Sequence, residues 1–144
     1  VARLGGEFFG QQISAGELPE ELPKRAREVR GDVVTAGLGS GSDFRPSEWS
    51  VGPEQACFTL AGVDYSVPVG GEHHLRDALI AAAAATGLGV SPTGVARGLA
   101  EYRPVGLRGA LIQVDDLTMV ADCYNANPES FGAAIRFCTD AFPG

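Results

Sequence analysis

Gly70-Gly71-Glu72-His73-His74-Leu75-Arg76-Asp77-Ala78-Leu79-Ile80-Ala81-Ala82, residues 70–82, is the stretch where the chain changes period. Leu75, Ala78, Leu79 and Ala82 recur at i, i+3, i+4 and i+7, the stripe of a helix that buries one face. Just upstream the pattern is two-fold: Val63, Tyr65, Val67 and Val69 fall on one side, and Cys57-Phe58-Thr59-Leu60 alternates in the same way. Residues 44–51, 55–61 and 63–69 are therefore predicted as three strands, divided by Gly52-Pro53 and by Gly62. The last two are expected to pair as an antiparallel hairpin turning at Gly62-Val63. Five consecutive alanines, 81–85, keep the helix slim enough to pack closely on a sheet or another helix, and Gly87 and Gly89 end it.

Outward from this point, Ser91 and Pro92 make a favourable cap and first position for a second helix. Its apolar stripe is Val95, Ala96, Leu99 and Tyr102, and Pro104 stops it. Residues 105–109 read as a linker. Ala110 to Val114 and Met119 to Asp122 read as strands around a turn at Asp115-Asp116. Asn127-Pro128-Glu129 then opens a third helix with Phe131, Ala134, Ile135 and Cys138 at helical spacing. Upstream, residues 33–38 (Val-Val-Thr-Ala-Gly-Leu) suit a short buried strand, and 20–30 a charged surface helix. The chain is thus α/β. Residues 1–104 form one unit, 105–109 the connector, and 110–144 the start of a second unit built β-β-α.

The 144 residues carry a net charge of -7 without a basic cluster, which argues against nucleic acid and anionic membrane surfaces as partners. No apolar run approaches the roughly 18 residues a membrane span needs. Three cysteines at wide spacing offer neither a disulfide framework nor a paired metal-ligand motif, so a cytoplasmic setting is expected and no metal site is assigned. The chain starts at Val1 and stops at Pro143-Gly144 just after a predicted helix, and is expected to be an internal piece of a longer protein.

Two clusters have the residue types that carry chemistry. In the first, His73 and Asp77 lie four apart and share a helix face turned away from the apolar stripe. They are either a surface ion pair or part of a ligand site at a helix start, where free N–H groups favour anions. His73 and His74, adjacent on a helix, are expected to point apart, which disfavours a two-histidine metal site. The second cluster, Asp122-Cys123-Tyr124-Asn125-Ala126-Asn127-Pro128, runs from a strand end into a helix, the place where α/β sheets bind ligands. A carboxylate there can accept from both hydroxyls of a ribose. Alternatively Asp122 is a turn residue and Asn127 a cap. Cys123 has no histidine nearby in sequence to activate it. Arg108 in the linker either forks onto a phosphate or salt-bridges across the units.

Taken together, these motifs resemble the Mur ligase family. Gly71-Glu72-His73-His74-Leu75-Arg76-Asp77-Ala78-Leu79 is similar to the family's Gly-x-His-Asn-x-x-Asn-Ala-Leu, at the end of its ATP-binding central domain. Gly98-Leu99-Ala100-Glu101-Tyr102-Arg103-Pro104-Val105 followed by Arg108 is similar to the segment leading into the Rossmann-like C-terminal domain. Asp122 to Pro128 resembles the Asp-Ser-Tyr-Asn-Ala-Asn-Pro run of the branch that adds D-alanyl-D-alanine. The resemblance covers residues 71–128 in order, is weaker over 32–70, and does not place 1–31.

The resemblance implies an ATP- and Mg2+-dependent amide ligase of peptidoglycan synthesis. It would join UDP-N-acetylmuramoyl-tripeptide to D-alanyl-D-alanine through an acyl phosphate, and is expected to be a monomer. It places His73 and Asp77 beside adenine, Arg108 on the phosphates as the catalytic clamp, Asp122 on the ribose, and Tyr124, Asn125 and Asn127 near the incoming dipeptide. Three departures stand out: His74 and Asp77 replace asparagines and Cys123 replaces a serine. An ionised Asp77 accepts hydrogen bonds but cannot donate as an asparagine would. No G-x-x-x-x-G-K-[ST] loop occurs in these residues. In the family that loop and the magnesium ligands lie earlier in the chain, so this segment alone is expected to be inactive. A degenerate, non-catalytic binding protein of the same fold and a sibling ligase, of the Mur or folylpolyglutamate type, acting on another acid and amine are the alternatives.

Overall fold

A computed structural model describes residues 34–123 and 126–143. The surface helix predicted at 20–30 lies outside the described residues, as do Tyr124 and Asn125. Strands β1 (Glu48–Val51), β2 (Ala56–Leu60) and β3 (Val63–Val67) form an antiparallel sheet in the order β1-β2-β3. Helices α1 (Glu72–Gly87) and α2 (Pro92–Ala100) follow. An antiparallel pair, β4 (Ala110–Val114) and β5 (Leu117–Ala121), then leads to α3 (Pro128–Ala141).

The period-2 reading sets which face of the sheet is covered. Ala56 and Phe58 of β2, and Tyr65 and Val67 of β3, all point into the core, where the α1 stripe of Leu75, Ala78, Leu79 and Ala82 meets them. Phe58 and Tyr65 are directly opposite across the ladder, and their rings stack at 4.9 Å and 9°. Such a cross-strand aromatic pair adds to register specificity beyond the area it buries. α1 packs on β2 and α2 on β3. Ser91 caps α2 as expected, its Oγ accepting from the Gly94 amide at 3.2 Å.

The β2–β3 turn is centred one residue earlier than predicted, on Ala61-Gly62. Both residues lie in the left-handed region, at φ 50 and 77. This matches a type I′ turn, whose twist suits a two-residue hairpin, but alanine is a poor occupant of its first position. Ala61→Asn is expected to raise stability by about 1 kcal/mol, read as a higher urea midpoint; an unchanged or lower midpoint would count against the turn assignment.

Other expectations are corrected. The buried strand predicted over 33–38 is not formed in its described part, where Ala36 makes only an isolated bridge to Phe44. A polar clasp organises this segment instead: Asp43 Oδ2 accepts from the Thr35 amide (2.9 Å) and hydroxyl (2.8 Å), and the Asp43 amide donates to Thr35 Oγ1 (3.0 Å). Among the described residues the ladder stops at that one bridge, where the Phe44 amide donates to Thr35 O at 2.8 Å and the Gly37 amide donates to Phe44 O at 3.1 Å. β1 starts at Glu48 rather than 44, behind the fully buried Pro46, which has no amide to give a ladder. β5 starts earlier, at Leu117, and ends at Ala121. Tyr102 lies beyond α2 and is exposed. In α3 the buried residue is Phe137, while Phe131 and Ile135 of the predicted stripe are exposed.

Candidate functional site

Gly71 is the N-cap of α1, with a φ of 97 that no side-chain-bearing residue adopts readily, and no side chain caps the helix. The missing side chain has a steric reason. A Cβ on Gly71 would come within 2.5 Å of His73 Cε1 and 3.2 Å of Phe137 Cδ2. The second glycine of the motif therefore lets α3 approach the start of α1. His73 lies edge-on to Phe137, with ring centroids 6.3 Å apart at 76°.

His73 and His74 do not point apart as expected: their rings lie 4.1 Å apart, tilted by 41°. His74 turns back along the helix, and its Nδ1 donates to the Gly70 carbonyl at 2.6 Å. That backbone bond draws the ring towards its neighbour. Burial above all holds His73 in its neutral form, lowering its pKa to about 4. The neighbouring His74 and Arg136 add to this, and Asp122 and Glu72 oppose it.

The anticipated His73–Asp77 ion pair is absent. Glu72 and Arg76 pair instead, at 2.7 Å, an exposed i,i+4 bridge worth a few tenths of a kcal/mol. Asp77 stays exposed as a residue, yet desolvation of its carboxyl raises its pKa, against a lowering by His74. Asp122 follows β5, exposed, and acts electrostatically on His73 across the chain. Two of the residues expected at one site, from segments nearly fifty positions apart, thus feel each other's charge. Arg108 and Cys123 line a small pocket of about 320 Å³ with Val105, Gly106 and Leu107, and the Cys123 amide donates to Leu107 O at 2.9 Å. Asn127 caps α3 in a reciprocal capping box with Ser130, which commits its side-chain oxygen to the helix (2.8 Å).

One feature escaped the sequence reading. A groove of about 640 Å³ is lined by Trp49 and Val51 of β1, by Arg136, Phe137 and Asp140 of α3, and by His73 of α1. The signal for it was Gly71, a glycine with no phosphate-loop role and therefore a candidate for close backbone approach. Among the described residues, no group of three His, Cys, Asp or Glu converges on a metal position, and no helix is long and apolar enough to cross a membrane.

This architecture has known counterparts. The UDP-N-acetylmuramoyl-tripeptide–D-alanyl-D-alanine ligase of Bacillus subtilis (strain 168) is 34% identical over 113 residues, 76% of this chain and 24% of that protein. The UDP-N-acetylmuramate–L-alanine ligase of Phenylobacterium zucineum is 28% identical over 139 residues, 90% of this chain and 29% of that protein. A crystal structure of MurF from Acinetobacter baumannii superposes with a TM-score of 0.69 at 31% identity, over 78% of this chain and 26% of that one. No protein-family model matches the chain. The chain belongs to the Mur ligase family. Within it, the similarity extends to the D-alanyl-D-alanine ligases and the L-alanine ligases alike, and the chain spans about a quarter of the length of the relatives it matches.

Proposed function

We propose that the protein carrying this chain is an ATP-dependent amide ligase of peptidoglycan synthesis that joins D-alanyl-D-alanine to UDP-N-acetylmuramoyl-tripeptide. The observation that carries this reading is the Asp122–Pro128 run, which resembles the D-alanyl-D-alanine-adding branch within a chain 34% identical to one of its members.

The residues present fit the base and ribose of a nucleotide. A desolvated Asp77 reaches its neutral form more readily, and a neutral carboxylic acid both donates and accepts, as the family's asparagine does. Asp122 offers a carboxylate to the ribose, and Arg108 a guanidinium fork to the phosphates. ATP would supply the phosphoryl group that activates the tripeptide carboxylate. Around it, this chain orients the base, holds the ribose and offsets developing negative charge. Mg2+ has no set of ligands among the described residues.

One pH dependence follows. Because desolvation raises the Asp77 pKa from its ordinary value, its neutral fraction grows earlier on acidification than that of a free carboxyl, and nucleotide affinity should grow with it. In the full-length protein Asp77→Asn should bind a non-hydrolysable ATP analogue about 3–10-fold tighter at pH 7.5, the worth of about one hydrogen bond, and the advantage should shrink on acidification. Titration calorimetry at several pH values checks this; equal affinities throughout would remove Asp77 from the adenine site.

The L-alanine ligases that align with 90% of the chain favour a second reading, a sibling ligase using another acid and amine. Parallel reactions with UDP-N-acetylmuramoyl-tripeptide plus D-alanyl-D-alanine, and with UDP-N-acetylmuramate plus L-alanine, separate the two by product mass. Product in the first reaction alone supports the proposal, and product in the second alone moves the assignment to the sibling.

A further inference from the structure

We propose that His73 and His74 form a proton-operated clasp on which the later part of the chain seats: with His73 neutral α3 is held against α1, and protonation of His73 releases it. The two rings contact three different pieces of chain at once. His73 meets Phe137 of α3 edge-on at 6.3 Å. His74 is pressed against the connector, since a Cβ on Gly109 would fall 2.8 Å from its Cε1. The rings lie on each other at 4.1 Å, and the Gly70 carbonyl fixes the orientation of His74.

Phe137 is the buried residue of α3, with Phe142 at 6.2 Å on one side and His73 at 6.3 Å on another. Glycines stand where the approach is closest: Gly71 beneath Phe137 and His73, and Gly109 beside His74. This pattern is what a built contact requires.

The charges facing His73 set the sign. His74 and Glu72 face it from α1, Asp122 from the end of β5, and Arg136 from α3, with Asp140 of α3 on the same groove. Desolvation and the two basic neighbours outweigh the two carboxylates, so the seated state favours the neutral ring, with a pKa of about 4 against 6.5 for a free one. A state that binds fewer protons loses ground as pH falls. The ratio of seated to unseated chain should therefore drop by up to roughly 80-fold between pH 6.5 and pH 4. The clasp rests on this packing and not on the ligase reading, and its test involves no catalysis.

Trp49 is the single tryptophan of the chain and lines the same groove as Phe137, so its emission should report whether α3 is seated. In the full chain, titrated from pH 8 to pH 4, Trp49 emission should change with a midpoint between 4 and 6.5 while far-UV ellipticity holds. His73→Phe, which keeps an aromatic ring against Phe137, should retain the pH 8 emission throughout; His73→Gln should also lack the transition, which covers a misfolded phenylalanine variant. Phe137→Ala should show the acid emission already at pH 8. A wild-type transition that persists in the His73 variants, or one that merely accompanies loss of ellipticity, would overturn the proposal. So would a proton NMR titration in which His74 rather than His73 follows the midpoint.

Discussion

Gly70→Ala is expected to destabilise the fold by more than about 3 kcal/mol, the largest single-residue effect on stability foreseen here. An added Cβ would lie 2.1 Å from the carbonyl oxygen of Pro53 and 2.4 Å from that of Gly52. Both are backbone atoms and cannot swing aside as a side-chain tip would. The Gly52-Pro53 turn is itself tied, since the Gly52 amide donates to Gln55 O at 2.8 Å and so closes the β1–β2 connection. Relief of the clash would have to separate that turn from the start of α1, and with it the sheet from the helix. Gly98→Ala is the contrast. It lies within α2 with nothing within 4 Å of the new atom, and should stabilise by up to about 1 kcal/mol through helix propensity. Urea unfolding of the two variants decides this; a Gly70→Ala midpoint equal to the wild type would contradict the described packing.

Arg108→Ala in the full-length protein is expected to lower kcat/KM by a factor on the order of 10²–10³ if the proposed ligase chemistry holds, the usual cost of losing one preorganised charge-stabilising group. Arg108 shares a pocket with Cys123, the residue after Asp122, and the Cys123–Leu107 hydrogen bond ties its connector to the end of β5. Arg108→Lys should recover part of the rate, since a point charge replaces the fork without its bidentate geometry. The KM for D-alanyl-D-alanine should change far less than kcat. Rates within about three-fold of wild type would remove Arg108 from the phosphate clamp.

The sequence was informative where local chemistry decides structure. Ser91-Pro92 and Asn127-Pro128 marked two helix starts because capping is read from adjacent residues. The α1 stripe and the Phe58/Tyr65 alternation marked the core because burial on one face imposes the period. It failed where the deciding partner is distant. Residues 33–38 have strand composition, but among the described residues they make only a single bridge, at Phe44. Phe131 and Ile135 look like core residues by spacing, yet α3 turns Phe137 inward because Gly71 and His73 offer that ring a seat. The same limit applies to the candidate site. His73, Asp77, Arg108 and Asp122 could be picked out by motif, but the contact between the two histidine rings could not. It depends on the hydrogen bond from His74 Nδ1 to Gly70 O, which adjacency in sequence does not reveal.

The most direct test of the central claim is phosphate release from ATP by the full-length protein, with Mg2+ present and UDP-N-acetylmuramoyl-tripeptide and D-alanyl-D-alanine added singly and together. Sustained release is expected only when both substrates are present. No release from a folded protein under any of these conditions would contradict it, and would mark a Mur-family chain that keeps the architecture without the ligation.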